Sequence, residues 1–364
     1  MNLLNNKEDR QYYRLDGILS CNCNYMLIYG MRANGKSYAV KERAVIKAYE
    51  HSEEFTYLRR WGQDIKQKEV DNYFDDIPVH KITNGEYDGI TAYQGSFYFF
   101  NNLENGRKDR APKAIGRYCA LNEAERYKSQ VFNSKRIIFE EVFTDKIYLG
   151  SRERPEPRLL MQFISTVARD RDIEVYLIAN TVSRVNPYVG EWGLKNLLQQ
   201  KSGTIDIYHL RGENGVVDIA VENCEVVVTK SKMFFGRSSK QITSGEWETD
   251  EMPKLLKPYE YYDMLYEVKI IGGEFKYCAQ LMYDPDTQGL FVYIYPLTKD
   301  RKILRTITNE FYTDPFITKA FRSDIQPEVL MAQCFRRSKV CYSDNLTGTD
   351  FRQVLKMYEL GVTV

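Results

Sequence analysis

Tyr25-Met26-Leu27-Ile28-Tyr29-Gly30-Met31-Arg32-Ala33-Asn34-Gly35-Lys36-Ser37 runs an apolar strand through a glycine-bearing turn into helix-compatible sequence. Gly30 to Ser37 fit the spacing G-x-x-x-x-G-K-S without a mismatch, in the strand-turn-helix context that the pattern requires. The two glycines let the backbone curl, so that the N–H groups of Met31, Arg32, Ala33 and Asn34 and the start of the next helix face phosphate oxygens. Lys36 is expected to reach the β and γ phosphates of ATP, and the Ser37 hydroxyl to hold Mg²⁺.

Outward from this stretch, three more apolar runs end in polar residues of matching chemistry. Glu54-Phe55-Thr56-Tyr57-Leu58 ends at Arg59-Arg60, where Arg59 is either a lid over nucleotide or a solvated strand end. Arg136-Ile137-Ile138-Phe139 ends at Glu140 and Glu141, the acids that a phosphate-loop ATPase needs to support the metal shell and to polarise the attacking water. Glu140 stands where the shorter Asp is usual. Val175-Tyr176-Leu177-Ile178-Ala179 ends at Asn180, which in a parallel sheet lies beside the acids and senses the γ phosphate or caps a turn. Short apolar runs alternating with helical segments over residues 1–205 predict an α/β domain on a mainly parallel sheet, its strands buried on both faces.

Residues 65–134 are polar and basic in patches and read as an insertion of hairpins and loops. Residues 206–258 read as a linker subdomain, rich in Gly, Ser, Lys and Glu. Residues 259–364 read as an α+β domain with strands at 267–271, 277–283 and 290–295, a turn at 284–289 and a closing helix at 351–360.

Composition excludes several classes. Lys plus Arg total 51 against 50 Asp plus Glu, so any nucleic-acid contact is local. Residues 1–205 hold 31 basic and 27 acidic side chains and the remainder is net acidic, so a DNA bias belongs to the first part. Seven scattered cysteines without a CxxC pair fit a reduced protein without structural zinc. Three histidines, none near a nucleophile, argue against histidine-based catalysis. No apolar stretch reaches 18 residues, so a soluble protein of the host cytoplasm without membrane contact is expected.

GMRANGKSYA, YLRR, IIFEE, TVARDR and IANTVSRVNPY, then MFFGR and DPDTQGLFVYI, resemble the DNA packaging ATPases of small podophages of the phi29-like type. The resemblance implies an ASCE-type phosphate-loop domain followed by an RNase H-like domain that has lost nuclease activity. It implies a ring of five subunits at the capsid portal vertex, acting transiently on the connector, with double-stranded DNA as cargo and a scaffold RNA as a further partner. It maps an arginine finger, donated in trans, onto Arg169, with Arg171 as runner-up. It maps a channel loop gripping DNA phosphates onto Arg126, Lys128 and Ser129.

Rival readings are a full terminase with an active metal-dependent nuclease, centred on Asp284 with Asp286 and Asp344, and a nucleotide-binding assembly protein without translocase activity. A small-molecule kinase is a weaker rival, because it gives the basic insertion and the long C-terminal region no task.

Overall fold

The apolar runs read before and after the glycine-bearing turn form strands of one sheet. The computed structural model describes residues 12–32, 34–151, 153–181, 184–197, 199–212, 215–224, 251–298, 302–310 and 314–362. Described residues up to Thr181 and from Pro187 to Cys224 form one compact unit; residues 184–186 and those from Glu251 onward form a second.

The first unit contains, in chain order, α1 (Asp16–Leu19), β1 (Tyr25–Gly30), α2 (Lys36–His51), β2 (Phe55–Arg59), α3 (Gln67–Val70), α4 (Val79–Ile82), β3 (Gly89–Tyr93), β4 (Ser96–Asn102), β5 (Lys108–Arg110), β6 (Gly116–Ala120), β7 (Arg136–Glu140), α5 (Glu156–Ala168), β8 (Glu174–Asn180), α6 (Pro187–Trp192), β9 (Thr204–Gly212) and β10 (Gly215–Asn223). Its sheet has the order β3-β4-β6-β2-β7-β8-β1-β10-β9, with β5 on β4. The pairs β6–β2, β2–β7, β7–β8, β8–β1 and β1–β10 are parallel. β7 is buried along its whole length and β1 and β8 nearly so, which is why these strands read as continuous apolar runs.

Register then decides where chemistry collects. Gly30 pairs with Asn180 and Glu140 with Ile178, so the ends of β1, β8 and β7 lie side by side. Two strands separate β1 from β2, and a crevice at the carboxyl ends of such an interrupted order is where ligands enter open α/β sheets. α2 returns over one face, burying Ala39, Val40, Ala44, Val45 and Ala48 at helical spacing against Met26, Ile28, Tyr57 and Ile138.

Two expectations are corrected. The linker was to begin at residue 206, yet β9 and β10 form an antiparallel hairpin whose second strand pairs with β1 from Tyr25↔Ile219 to Tyr29↔Asn223. Buried Ile219, Ala220 and Val221 continue the sheet there, and the flanking Asp218, Glu222 and Asn223 disguised the strand in composition. The segment at 65–134 is no mere insertion either, because β3, β4 and β6 extend the same sheet. Val226 to Thr229 and the MFFGR segment lie outside the described residues.

The second unit contains β11 (Asp263–Gly272), β12 (Phe275–Asp284), β13 (Gly289–Pro296), β14 (Thr306–Thr308), β15 (Ile317–Thr318), α7 (Gln326–Arg336), β16 (Val340–Tyr342) and α8 (Asn345–Met357). Its sheet runs β15-β14-β11-β12-β13-β16, with the expected hairpin between β12 and β13. The last helix starts six residues earlier than expected, because Asp344 caps it by accepting from the Thr347 N–H at 2.7 Å. Val268, Ile270, Ala279, Val292, Met331, Phe335 and Phe351 lie in its core.

Candidate active site

The turn after β1 is held by its own lysine. Buried Lys36 donates from Nζ to the carbonyls of Gly30 at 3.2 Å and Met31 at 2.5 Å, and to Asn34 Oδ1 at 3.1 Å. Burial pushes the Lys36 ammonium down to about 8, and the neighbouring Cys224 and Glu140 oppose the shift. The same ammonium donates to Asn180 Oδ1 at 3.3 Å, joining the ends of β1 and β8.

Both glycines of the pattern are required. Gly30 has φ 155° and Gly35, the residue preceding α2, has φ 92°. A Cβ at Gly35 would also come within 3.1 Å of Tyr12 Cβ, because the Tyr13 N–H donates to Asn34 O at 2.9 Å and draws the preceding chain over the turn. Ser37 lies in the first turn of α2, half-buried, and Arg32 is exposed. Ala33 lies outside the described residues.

The two acids adopt different environments. Glu140 ends β7 buried, with Oε2 accepting from the Tyr57 hydroxyl at 3.4 Å and Oε1 buried without a partner among the described residues. Glu141 turns out of the strand at φ 59° with its side chain 57% exposed. Arg59 Nη2 donates to Glu141 Oε2 at 2.8 Å, and Nη1 lies 3.7 Å from Glu140 Oε2. Arg59, read as either a lid over nucleotide or a solvated strand end, is thus engaged with the two acids; burial works against its charge, but the Tyr57 phenol and the two carboxylates outweigh it and raise its pKa above the ordinary value.

Arg60 and Glu156 were missed as site residues. Arg60 donates to Glu156 Oε2 at 2.7 Å and Oε1 at 2.9 Å, and also to the carbonyls of Glu141 at 3.0 Å and Val142 at 2.9 Å. It therefore fixes the left-handed backbone that aims Glu141 outward. Glu156 is fully buried and takes a further bond from the Tyr188 hydroxyl at 2.7 Å. The only local signal was the doubled arginine, since the partners lie 96 residues apart. Glu156→Ala would strand a buried guanidinium, and a loss of about 3–5 kcal/mol in denaturant unfolding is expected. A loss under about 1 kcal/mol would show that water reaches Arg60.

The remaining expected residues lie elsewhere. Arg126 and Lys128 are exposed at the end of a 3-10 turn (Leu121–Tyr127), paired with Glu123 at 2.5 Å and Glu125 at 2.6 Å. Ser129 is exposed beside them. Arg169 follows the last residue of α5 at φ 49°, and its Nη2 donates to Gln130 O at 3.2 Å. α5 returns from the acid end of β7 to the start of β8, so Arg169 stands at the opposite edge of the sheet from Lys36. Arg171 is occupied structurally, donating to Phe132 O at 2.5 Å and Val167 O at 2.6 Å.

Comparison with known proteins gives a consistent result. The model of a family described as podovirus DNA encapsidation protein (Gp16) matches residues 7–252. The DNA packaging protein of Bacillus phage phi29 is 24% identical over 246 residues, 66% of this chain and 65% of that protein. That of Bacillus phage B103 is 28% identical over 169 residues, 46% of this chain and 47% of that protein. This chain thus spans about 65% of the length of the phi29 relative that it matches. The solved bacteriophage phi29 viral genome packaging motor assembly is 20% identical, covers 94% of this chain and 99% of its own, and has a TM-score of 0.54, a likeness of fold.

Proposed function

The chain belongs to the podovirus DNA encapsidation protein family, and on that premise we propose that it is the ATP-hydrolysing motor subunit that drives double-stranded DNA into a capsid. The observation that carries this reading is the shared carboxyl edge of β1, β8 and β7. Lys36, Asn180, Glu140 and Glu141 lie at or beside these neighbouring strand ends, which supports the division of labour that phosphoryl transfer to water needs.

In this reading the turn N–H groups and Lys36 hold the β and γ phosphates, and Asn180 reports the γ phosphate through the ammonium that it already contacts. The residues fit Mg²⁺: the orphaned Glu140 Oε1 is a buried acceptor, and Ser37 is in the position of the expected hydroxyl ligand. When bound, the ion would neutralise charge between the β and γ oxygens. Glu141 accepts a proton from the attacking water, and its exposure leaves it free to swing. Arg59 restrains it, and an anion at Lys36 competes for that guanidinium and releases the carboxylate.

Arg169 lies away from its own crevice, which supports donation to a neighbouring subunit in a ring, five-membered in the resemblance. The exposed ion pairs of Arg126 and Lys128 are weak enough for DNA phosphates to displace, with Ser129 as an added donor. The order β13-β12-β11-β14-β15 supports the RNase H-like reading of the second unit. There Asp284 accepts from the Asp286 N–H at 3.0 Å and Thr287 Oγ1 at 2.9 Å, Asp286 pairs with Lys257, and Asp344 caps α8. These local engagements favour a translocase over a terminase nuclease. The connector and a scaffold RNA remain the proposed partners at the portal vertex of a procapsid. No helix of the described residues is long and apolar enough to cross a membrane.

The test is ATP hydrolysis by the full chain with and without double-stranded DNA, and ATP-dependent uptake of DNA into procapsids. Tight ATP binding without turnover in either setting would overturn the reading in favour of a nucleotide-binding assembly protein. Lys128→Ala is expected to leave DNA-free hydrolysis unchanged and to lower the salt slope of DNA binding by about 1 per subunit. An unchanged slope would remove Lys128 from the DNA contact.

A further inference from the structure

Glu140 carries one more methylene than the acid usual at this strand end, and so one more rotatable bond to be fixed before it can serve an ion. The structure surrounds it with phenols. Tyr57, from β2, donates its hydroxyl to Glu140 Oε2 at 3.4 Å while accepting from Arg59 Nη1 at 3.5 Å. Tyr73, from the turn after α3, stacks on Tyr57 with ring centroids 4.0 Å apart, and its hydroxyl lies against the same carboxylate. Two buried polar atoms here have no hydrogen-bond partner among the described residues: Tyr73 Oη and Glu140 Oε1. One is a donor and the other an acceptor.

Tyr73 is itself fixed from the phosphate-loop helix. Lys41, one turn beyond Ser37 on α2, donates to Tyr73 O at 3.0 Å, sits 4.9 Å from the centre of its ring, and pairs with Asp76. The helix that would carry the hydroxyl ligand therefore sets the tyrosine that faces the carboxylate ligand.

We infer that Tyr57 and Tyr73 are positioning residues for Glu140, forming a two-phenol clamp that holds the longer acid in the orientation that receives a divalent cation. This rests on the proposed nucleotide site. Tyr57 fixes Oε2, while the Tyr73 hydroxyl, left unpaired among the described residues, steadies Oε1 directly or through a bridging water. Lys41 conveys the position of α2 to the same carboxylate.

The test is Mn²⁺ titration of the full chain with a fluorescent ATP analogue, comparing Tyr57→Phe, Tyr73→Phe and their double variant with the parent chain. Phenylalanine retains the stacked rings, so the unfolding midpoint serves as a control for packing. Analogue affinity in EDTA should remain within about twofold, and the Mn²⁺ concentration for half-maximal response should rise about 10-fold in the double variant. In a Glu140→Gln background the tyrosine changes should add nothing further. If Glu140→Gln raises the Mn²⁺ requirement but the tyrosine variants do not, the clamp is overturned and the site reading stands. If Glu140→Gln leaves the requirement unchanged, the metal assignment and the clamp fall together.

Discussion

Glu141→Gln is expected to lower ATP hydrolysis about 10³-fold while leaving nucleotide binding intact, the magnitude of losing a general base. The amide keeps the size of the side chain and can still accept from Arg59, whose bond to Glu141 Oε2 is 2.8 Å long. It cannot take a proton from water at neutral pH. The backbone should not move, because Arg60 holds the Glu141 and Val142 carbonyls and not the side chain. Steady-state phosphate release checks the rate, and equilibrium binding of a fluorescent nucleotide checks the site. Unchanged turnover would reassign the base, with Glu140 the remaining carboxylate at that strand end.

Arg169→Ala should reduce DNA-stimulated hydrolysis by about 10³-fold, the lower end of what an arginine finger contributes. Among the described residues one hydrogen bond, to Gln130 O at 3.2 Å, holds this exposed guanidinium, so its loss should barely change the unfolding midpoint. Arg171→Ala should show the reverse. Its bonds to Phe132 O and Val167 O tie the end of α5 to the segment before β7, and their loss should lower the midpoint. Comparing melting with turnover in the two variants separates finger from brace. Equal loss of turnover at equal stability would leave the finger unassigned.

The parts of the site legible in the sequence are those whose chemistry is local. The phosphate turn needs Gly30 and Gly35 for its positive φ angles and Lys36 at a fixed offset, all within eight residues. Glu140 and Asn180 could be read because each ends an apolar run, and the parallel register then brought both to the Lys36 edge. The hairpin of β9 and β10 was hidden, because Asp218, Glu222 and Asn223 break up the short buried run Ile219 to Val221 on a strand whose other neighbour, β1, is almost 200 residues away. Arg60 with Glu156, and Tyr57 with Glu140, are pairings across the fold that no local spacing encodes. Arg59 could be read only as a lid over nucleotide or a solvated strand end, because its partners Glu140 and Glu141 come from a strand some 80 residues away.

Hydrolysis at the interface between subunits is the central claim, and mixing two inactive chains tests it most directly. Glu141→Gln chains have a disabled site and an intact Arg169; Arg169→Ala chains have the converse. Turnover in the presence of double-stranded DNA is measured for each and for an equal mixture after subunit exchange. Recovery in the mixture well above either component is the result expected, because each Arg169→Ala site can then face a neighbour's guanidinium. A mixture no faster than the mean of its components would contradict the account.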